Sequence, residues 1–359
     1  MPGRGALRET AISLWIAFGI WGCSAGGPIC FAQGADRISS ARNALVNNSE
    51  KITIYVEVSD KSGKPVSDLE PADFKVYDNK LEEKILGFTA TDHSHPAAVP
   101  PRVQIIIDAM NSGPVMVAQE RDGVSAFLGQ NAGKLEYATS IWVLENEGLK
   151  QIAPPSKDGT ALLAALNGEK IPARVINQSG GVWGDVERSN QAIELIKKMI
   201  APDARTPGRK LVLFISQGWP MLLNFEPNQR NWVFDDIIDI SNGLRESNTS
   251  FYALAPSDFN VNYFAYDNFL KGVTKISNAQ NADLCLQVLS EHSGGLVIAE
   301  GNDIKAEINT AVRDAGAYYT LVFERASGHG RTEYHELRVT VDKPQMKVRT
   351  TAGYYMKGP

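Results

Sequence analysis

The sequence has little cysteine, with 3 residues of this type in a chain of 359. Cys23 and Cys30 lie in an apolar N-terminal region, so Cys285 is the single cysteine in the rest of the chain. One cysteine cannot form an internal disulfide, which excludes a fold held together by disulfide bonds. The apolar residues around Cys285 follow helical spacing, which predicts a small core residue rather than a nucleophile.

The sequence also lacks an excess of positive charge. Its 36 lysine and arginine residues are outnumbered by 41 aspartate and glutamate residues, which gives a net charge of -5, and the pI is near 5.7. The basic residues are dispersed along the chain and form no cluster. This charge pattern argues against a nucleic-acid-binding protein.

Common catalytic motifs are absent as well. The sequence contains no Gly-x-Gly-x-x-Gly after the first strand of its α/β region, no phosphate-binding loop, no Gly-x-Ser-x-Gly and no His-Glu-x-x-His. The segment Ser216-Gln217-Gly218 is similar to a hydrolase turn, but Phe214 replaces the glycine expected two positions before the serine. We therefore predict a protein without enzymatic activity, and an α/β hydrolase acting through Ser216 stays as an alternative.

The N-terminal apolar run is too short to serve as a permanent membrane span. Arg4 and Arg8 precede Ala11–Trp21, which falls short of the ~20 residues that a transmembrane helix needs. The order of basic, apolar and small residues is typical of a secretory signal peptide. We therefore predict an exported protein, secreted or periplasmic, whose mature chain has no transmembrane span.

Two processing sites compete at the end of this signal. Small residues favour cleavage after Ala32, whereas the bulky Trp21 disfavours a lipoprotein-type site at Cys23. The pattern predicts a signal peptide over residues 1–32, followed by a polar linker over residues 33–50.

Strand-like patterns occupy both ends of the mature chain. Between residues 51 and 92 apolar residues alternate with polar ones, and residues 317–359 return to the same period of two. Neither segment can bury an apolar face alone, because an isolated small sheet is marginally stable in water. We therefore expect the two segments to pack together as one small antiparallel β-sandwich.

Residues 101–316 alternate strand and helix patterns instead. Such alternation predicts a doubly wound α/β domain with a mostly parallel sheet, inserted between the two parts of the sandwich. The strand Arg102–Asp108 is largely apolar on both faces, as a strand covered by helices must be. Ligands of such sheets bind beyond the carboxyl ends of the parallel strands. We call this end of the sheet the carboxyl edge and expect functional residues there, beginning with Asp108.

The order of short motifs along the chain resembles the bacterial von Willebrand factor A-related family of exported proteins. These motifs are Lys64–Leu69, Asp73–Val76, Asp108–Ser112, Gly159–Leu162, Tyr318–Tyr319 and Val348–Tyr355. The resemblance covers nearly the whole mature chain. It implies a von Willebrand factor A domain, with Rossmann-like topology, flanked by a β-sandwich.

Von Willebrand factor A domains bind a divalent cation through an Asp-x-Ser-x-Ser loop, a threonine and a later aspartate. The resemblance implies that Asp108, Ser112 and Thr160 are metal ligands here, and oxygen ligands of this kind suit Mg²⁺. Met110 replaces the first serine and Gln217 replaces the final aspartate, and a thioether is a poor ligand for a hard cation. We therefore predict a degenerate site without a cofactor, and a functional Mg²⁺ site that binds an acidic ligand residue stays as the alternative.

The same residues also have a purely structural interpretation. Asp108 and Ser112 can satisfy backbone amides of the loop, Thr160 can cap a helix, and Met110 can fill an apolar gap. The overall prediction is an adhesion or scaffold protein that recognises another protein through the carboxyl edge. The residues expected to form the binding face are Met110, Asn111, Gly113, Gly159, Gln217 and Trp219.

Overall fold

The computed structural model describes most of the chain after residue 50. The chain divides into two compact units, Met1–Asn48 and Ser49–Pro359, and every described residue belongs to the second. The predicted signal peptide and linker, residues 1–32 and 33–50, therefore lie outside the described residues. The described residues are 51–171, 181–203, 206–216, 218–219, 230–254, 266–299, 303–324 and 333–356.

Strands and helices alternate in the middle of the chain, and strands predominate at its two ends. The strands are β1 (Lys51–Ser59), β2 (Phe74–Asp78), β3 (Leu81–Glu83), β4 (Ile85–Thr91), β5 (Arg102–Asp108), β6 (Lys134–Glu145), β7 (Gly148–Asp158), β8 (Lys210–Ile215), β9 (Thr249–Leu254), β10 (Val297–Ile298), β11 (Tyr318–Glu324), β12 (Tyr334–Val341), β13 (Lys347–Thr350) and β14 (Gly353–Tyr355). The α-helices are α1 (Pro114–Leu128), α2 (Gly159–Gly168), α3 (Gly181–Asp203), α4 (Arg230–Glu246), α5 (Leu286–His292) and α6 (Ile304–Arg313). Across the described ranges, none of the helices has the length and apolar character needed to cross a bilayer.

A six-stranded sheet with the order β10-β9-β8-β5-β6-β7 forms the centre of the middle region. Five of these strands run parallel, and β7 runs antiparallel to β6 at the edge. All residues of β8 and β9 are buried. Their apolar sequences fit these central positions, because a strand covered on both faces needs apolar side chains on both.

Helices cover both faces of this sheet. One core joins α1, α2 and α6 to one face, with Val117, Leu162 and Ile308 among its buried residues. The other core joins α3, α4 and α5 to the opposite face, with Ile196 and Ile237 among its buried residues. The predicted doubly wound α/β architecture is confirmed.

Strands from both ends of the chain form the predicted β-sandwich. One sheet has the order β13-β1-β11-β4 and the other the order β14-β12-β2-β3, so each sheet contains strands from before and after the central sheet. The first and eleventh strands pair in antiparallel register from Lys51↔Glu324 to Val56↔Tyr319. Residues at alternate positions of both sheets form a shared core that includes Ile52, Ile54, Val76, Leu321, Leu337 and Val339. The insertion of the α/β domain into a sandwich is therefore confirmed.

A cluster of buried charges joins the sandwich to the amino edge of the central sheet, where the parallel strands begin. Arg209 directly precedes β8, is 1% exposed, and donates to the Glu57 carboxylate of β1 and to the Asp314 carbonyl oxygen at 2.6 Å. Arg349 of β13 donates to Oδ2 of Asp314 at 2.6 Å, and the Tyr252 hydroxyl donates to the same oxygen at 2.8 Å. We call these five residues the junction cluster.

Two aromatic rings pack on the Arg209 guanidinium. Its central carbon lies 4.8 Å from the ring centroid of Tyr318 and 5.5 Å from that of Tyr55, which are favourable distances for a cation above an aromatic face. Burial by itself lowers the pKa of Arg209, but Glu57 and other acidic neighbours raise that pKa above its usual value. The junction cluster therefore contains a buried cation that stays charged.

One local detail differs from the sequence-based expectation. The strand β7 continues to Asp158, directly before α2. Asp158, and not Thr160, caps α2, because its carboxylate Oδ1 accepts from the backbone N–H of Ala161 at 3.0 Å. Aspartate is as good an N-cap as the short hydroxyl residues, and it stands at the position directly before the helix.

Candidate functional site

Asp108 lies at the carboxyl edge, where the strand order reverses. The helix that follows β5 covers one face of the sheet, and the helix that follows β8 covers the other. A crevice therefore opens between the carboxyl ends of β5 and β8, and ligands of doubly wound domains bind in such a crevice. Asp108 is the last residue of β5, and Ser216 directly follows β8.

Protein groups occupy both oxygens of the Asp108 carboxylate. Oδ1 accepts from the backbone N–H of Met110 at 3.1 Å and from that of Asn111 at 2.9 Å. Oδ2 accepts from Nδ2 of Asn111 at 2.9 Å and from Oγ of Ser216 at 2.6 Å. Asp108 is 0% exposed. These four donors therefore replace water around the buried carboxylate.

Ser216 lies on the β8 side of the crevice and bonds across it to Asp108. Its hydroxyl donates to Asp108 and accepts from the backbone N–H of Gly218 at 2.8 Å, and the residue is 1% exposed. A serine nucleophile needs an accessible hydroxyl next to a general base. The hydroxyl of Ser216 instead ties β5 to β8, so its geometry does not fit the hydrolase alternative.

A second buried carboxyl group, which the sequence patterns did not reveal, lies beside Asp108. Glu120 of α1 accepts from the Ser112 hydroxyl through Oε1 at 2.7 Å and from the Asp108 backbone N–H through Oε2 at 3.2 Å. Both Glu120 and Ser112 are 0% exposed. Val117 and Val124 share the buried face of α1 with Glu120. An acid within the apolar helical spacing was therefore the signal that could have located it.

Burial opposes ionisation of both acids. Desolvation raises the pKa of Asp108, and hydrogen bonds from Ser216 and Asn111 offset part of that rise. Desolvation also raises the pKa of Glu120 well above its usual value; the bond from Ser112 lowers it, and the neighbouring Asp108 carboxylate raises it further. Adjacent carboxyl groups in one buried site do not both ionise readily. Asp108 has four donors to stabilise its charged form, whereas Glu120 has two.

The five residues Asp108, Asn111, Ser112, Glu120 and Ser216 are called the carboxyl-edge cluster below. It contains two of the three predicted metal ligands, Asp108 and Ser112, and brings them together through Glu120. Asn111, a predicted member of the binding face, is partly exposed at its rim.

The structure corrects two members of the predicted binding face. Met110 is 0% exposed and Trp219 is 5% exposed, and both belong to the core on the α4 side of the sheet. The Trp219 ring packs edge-on against Phe214, with 6.0 Å between the ring centroids. Burial of these large apolar side chains is favourable. Neither side chain is presented to a partner.

Thr160, the third predicted metal ligand, lies at the opposite edge of the sheet. Asp108 pairs with Leu144 near the end of β6, whereas Asp158 pairs with Lys134 at its start. The ten-residue offset between positions 134 and 144 corresponds to about 30 Å of strand. Thr160 follows Asp158, so the expectation that it joins Asp108 is wrong. The antiparallel direction of β7 is the cause, because it carries the chain back to the amino edge.

Gly159 lies at the same far edge and has a packing role there. A Cβ atom at this position would lie 2.3 Å from the carbonyl oxygen of Leu128, the last residue of α1. The missing side chain therefore lets the start of α2 approach the end of α1. Gly159 is buried and is not part of a face at the carboxyl edge.

Two further positions were predicted for the binding face. Gly113 directly precedes α1 and is partly exposed. Gln217, between Ser216 and Gly218, lies outside the described residues. The predicted face is thus reduced to Asn111 and Gly113 among the residues that the structure describes.

The predicted ligand set does not fit a divalent cation. Mg²⁺ needs several oxygen atoms directed at one point, but Thr160 is at the other edge and both Asp108 oxygens accept from protein donors. The Ser112 hydroxyl is bonded to Glu120. In the described part of the chain, no group of three or more His, Cys, Asp or Glu side chains is arranged to hold a metal ion.

Large apolar side chains are nevertheless exposed at the carboxyl edge. Val115 in the first turn of α1 is 71% exposed, and Trp232 in the first turn of α4 is 70% exposed. Both helices follow parallel strands and therefore begin at this edge. Tryptophan is enriched at protein interfaces because it buries a large area with few rotatable bonds. The exposed tryptophan of this edge is therefore Trp232, and not Trp219 as the sequence pattern suggested.

The arrangement of the central sheet decides the fold. Numbered within the inserted domain, its strands have the order 3-2-1-4-5-6, with strand 3 antiparallel at the edge and Asp108 at the end of strand 1. The inserted domain has a von Willebrand factor A-like fold. The resemblance seen in the sequence motifs is confirmed at the level of the fold.

Several solved structures are similar to this chain. The SpRpn10 VWA domain shares 8% identity at a TM-score of 0.32, covering 59% of this chain and 95% of that one. BatB, a conserved hypothetical protein from Bacteroides thetaiotaomicron, shares 12% identity at a TM-score of 0.29, covering 60% and 100%. The manganese-loaded TRAP protein of Plasmodium vivax shares 10% identity at a TM-score of 0.34, covering 80% and 100%. No family model and no curated protein matches the chain.

Proposed function

We propose that this protein is an exported, non-enzymatic adhesion or scaffold module that contacts another protein through the carboxyl edge of its von Willebrand factor A-like domain. The order of basic, apolar and small residues at the N-terminus supports export. The fold supports a binding role by analogy. The contact does not depend on a bound divalent cation.

The hydrogen bonding of Asp108 is the observation that carries this proposal. A metal-dependent contact needs a carboxylate whose lone pairs are directed at the ion or its water ligands. Both oxygens of Asp108 instead accept from protein groups, and one of these bonds, from Ser216, spans the crevice at 2.6 Å. Leaving a buried donor unsatisfied costs about 1–3 kcal/mol. A cation in the crevice therefore competes with bonds that already stabilise the fold.

The partner surface consists of Val115, Trp232, Asn111 and Gly113. Among the described residues, Val115 and Trp232 are large, exposed and apolar, and Asn111 and Gly113 are partly exposed. Aromatic side chains are enriched among the residues that contribute most to protein contacts.

Calorimetric titration with Mg²⁺ and with Mn²⁺ tests the metal-independent part of the proposal. We expect no binding heat at millimolar cation, and the same result for Asp108→Ala. Stoichiometric binding to the wild-type chain that Asp108→Ala abolishes contradicts the proposal and favours the Mg²⁺-dependent alternative.

Capture from an extract of the producing cells tests the partner surface. The immobilised wild-type chain, Trp232→Ala and Leu81→Ala are compared in the presence of a chelator. Leu81 is a matched control because it is 65% exposed in β3 of the sandwich. We expect the wild-type chain and Leu81→Ala to retain the same protein, and Trp232→Ala to bind it at least about thirtyfold more weakly, as for an interface anchor worth about 2 kcal/mol. Equal capture by all three, or capture that needs Mg²⁺, contradicts the proposal.

A further inference from the structure

A cavity of about 630 Å³ lies between the sandwich and the segment that precedes α5. Its volume is within the range of small-molecule sites. The sandwich contributes the turn after β2, the start of β12 and the residue before β14, and the inserted domain contributes residues 268–283. The lining residues used below are Asn268, Lys271, Val273, Asp283, Glu336 and Leu337.

Asp283 is the buried acid of this cavity. It is 6% exposed, and its Oδ2 accepts from the backbone N–H of Gln280 at 2.8 Å. Among the described residues its Oδ1 accepts no hydrogen bond, and Oδ1 is not one of the fully enclosed side-chain oxygens. This oxygen is therefore accessible to a donor from outside the protein, which a carboxylate needs when it is largely removed from water. The wall therefore contains a strong acceptor that the protein itself leaves available.

Apolar side chains lie beside this acid. Val273 and Leu337 line the cavity and are each 6% exposed. The backbone of Val273 is held in place by Tyr355, whose hydroxyl accepts from its N–H at 3.2 Å and donates to its carbonyl oxygen at 3.0 Å. A carboxylate next to a fixed apolar wall suits a ligand with a cationic end and an aliphatic body.

The Tyr334 ring at the cavity is not free for stacking. A Cβ atom at Gly272 would lie 2.0 Å from the Tyr334 ring, so the backbone covers that ring closely. The Tyr355 ring centroid is 5.0 Å from that of Tyr334. Sugars are commonly bound against an open aromatic face, and the Tyr334 ring does not offer one.

The rim contains charges of both signs. Glu336 is exposed, and its proximity adds to the effect of burial in raising the pKa of the Tyr334 hydroxyl. Lys271 is also exposed at the rim. Among the described residues, neither Lys271 nor another cation contributes to the pKa of Asp283, which burial raises and the Gln280 backbone bond lowers.

We propose that this cavity binds a small aliphatic amine, with the ammonium group on Oδ1 of Asp283 and the alkyl chain along Val273 and Leu337. This proposal does not depend on the function proposed above. Desolvation raises the pKa of Asp283 to about 7, so the acid is mostly ionised at pH 8, where an aliphatic amine is still charged.

Calorimetry on the full chain at pH 8 tests this proposal. The probe is 1,5-diaminopentane, and the matched control compound is 1,5-pentanediol, which has the same length and no charge. We expect the diamine to bind about tenfold to a hundredfold more tightly than the diol, as expected for a hydrogen bond to a charged group. This comparison uses the wild-type chain, so it does not depend on whether a variant folds.

Variants then locate the site. Asp283→Asn keeps an oxygen for the Gln280 amide but removes the charge, and we expect it to weaken diamine binding by at least about tenfold. Glu336→Gln at the exposed rim is the control and should change the affinity less than about threefold, because exposed ion pairs contribute little. Near-ultraviolet circular dichroism checks that Asp283→Asn is folded.

Three outcomes overturn the proposal. They are the absence of binding heat with millimolar diamine, equal binding of the diamine and the diol, and unchanged diamine affinity in a folded Asp283→Asn variant. Preferential binding of methyl glucoside over the diamine also overturns it.

Discussion

Buried charge lies at both edges of the central sheet, but the two edges neutralise it differently. At the amino edge, the junction cluster contains Arg209 and Arg349 together with Glu57 and Asp314. At the other edge, the carboxyl-edge cluster contains two acids, Asp108 and Glu120, whose bonding partners are hydroxyl, amide and backbone groups.

The comparison separates two ways of tolerating buried carboxyl groups. In the junction cluster, burial raises the pKa of Glu57 and the cation Arg209 opposes that rise, so the buried acid is stabilised by an opposite charge. In the carboxyl-edge cluster, burial raises the pKa of both acids and only hydrogen bonds oppose it. The first edge is thus an attachment between the inserted domain and the sandwich that depends on paired charges, and the second is an edge that depends on hydrogen bonding.

Arg209→Met tests the attachment and should have the largest effect. The substitution keeps most of the apolar side-chain volume but leaves Glu57 buried without its cation. We expect a loss of about 3–5 kcal/mol in the free energy of unfolding, measured by urea denaturation.

The matched control for that substitution is Arg338→Met. Arg338 is exposed and lies over the Tyr77 ring at 4.4 Å, so its loss should cost less than about 0.5 kcal/mol. Similar costs for the two variants would show that the junction cluster contributes no more than a surface contact.

Ser216→Ala tests whether the crevice is held closed by hydrogen bonding. It removes the donor to Asp108 and the acceptor for the Gly218 amide, and we expect a loss of about 1–3 kcal/mol in thermal or urea unfolding. Ser62→Ala, which removes a hydroxyl bond to Asp60 on the exposed surface, should cost much less. If the two serines prove equivalent, Ser216 does not tie β5 to β8.

Glu120→Gln tests the pH dependence and should have an effect that is small near pH 5 and grows as the pH rises. The pKa of Glu120 is raised in the folded state, chiefly by burial, so the folded chain binds more protons than the unfolded chain above the usual carboxyl range. Stability from this group is therefore full below the unfolded pKa and is lost as the pH rises through the folded pKa. A glutamine cannot ionise, so the variant should lose less stability with rising pH.

Urea denaturation at several pH values between 5 and 9 measures this difference. Asp108 and Asp283 also have raised pKa values, so the wild-type slope should be reduced in Glu120→Gln and not abolished. Glu147→Gln, at an exposed position after β6, should leave the slope unchanged. If the free energy of unfolding changes with pH in the same way in the wild type and in Glu120→Gln, the ionisation of Glu120 does not contribute to the pH dependence.

The architecture could be predicted because it depends on patterns that are local in the sequence. The apolar run before Asp108 indicates a strand covered on both faces, and the alternation at Ile52 and Ile54 indicates a strand with one buried face. The joining of both chain ends in one sandwich followed from the need of each end to cover its apolar side.

The site could be predicted only in part, because it depends on strand direction and on contacts between distant residues. Asp108 was located correctly at the end of β5, but the antiparallel direction of β7, which carries Thr160 to the far edge, was missed. The signal was the connection of two residues between β6 and β7, which is long enough for a hairpin and too short for a crossover to a parallel strand. The pairing of Ser216 with Asp108 joins residues 108 positions apart. Glu120 could have been predicted from the sequence, since its spacing from Val117 places it on the buried face of α1.

The pairing of β1 has a consequence for the order in which the chain can fold. Lys51 pairs with Glu324 and Ser59 pairs with Lys347, so the first strand meets its neighbours only after nearly the whole chain is available. The inserted domain can collapse earlier, while β1 still has open edges that can pair with other chains. Because synthesis begins at the N-terminus, the first strand must stay unpaired without aggregating until the last strands have been made. Truncation at the C-terminus would remove the strands that cover the edges of β1.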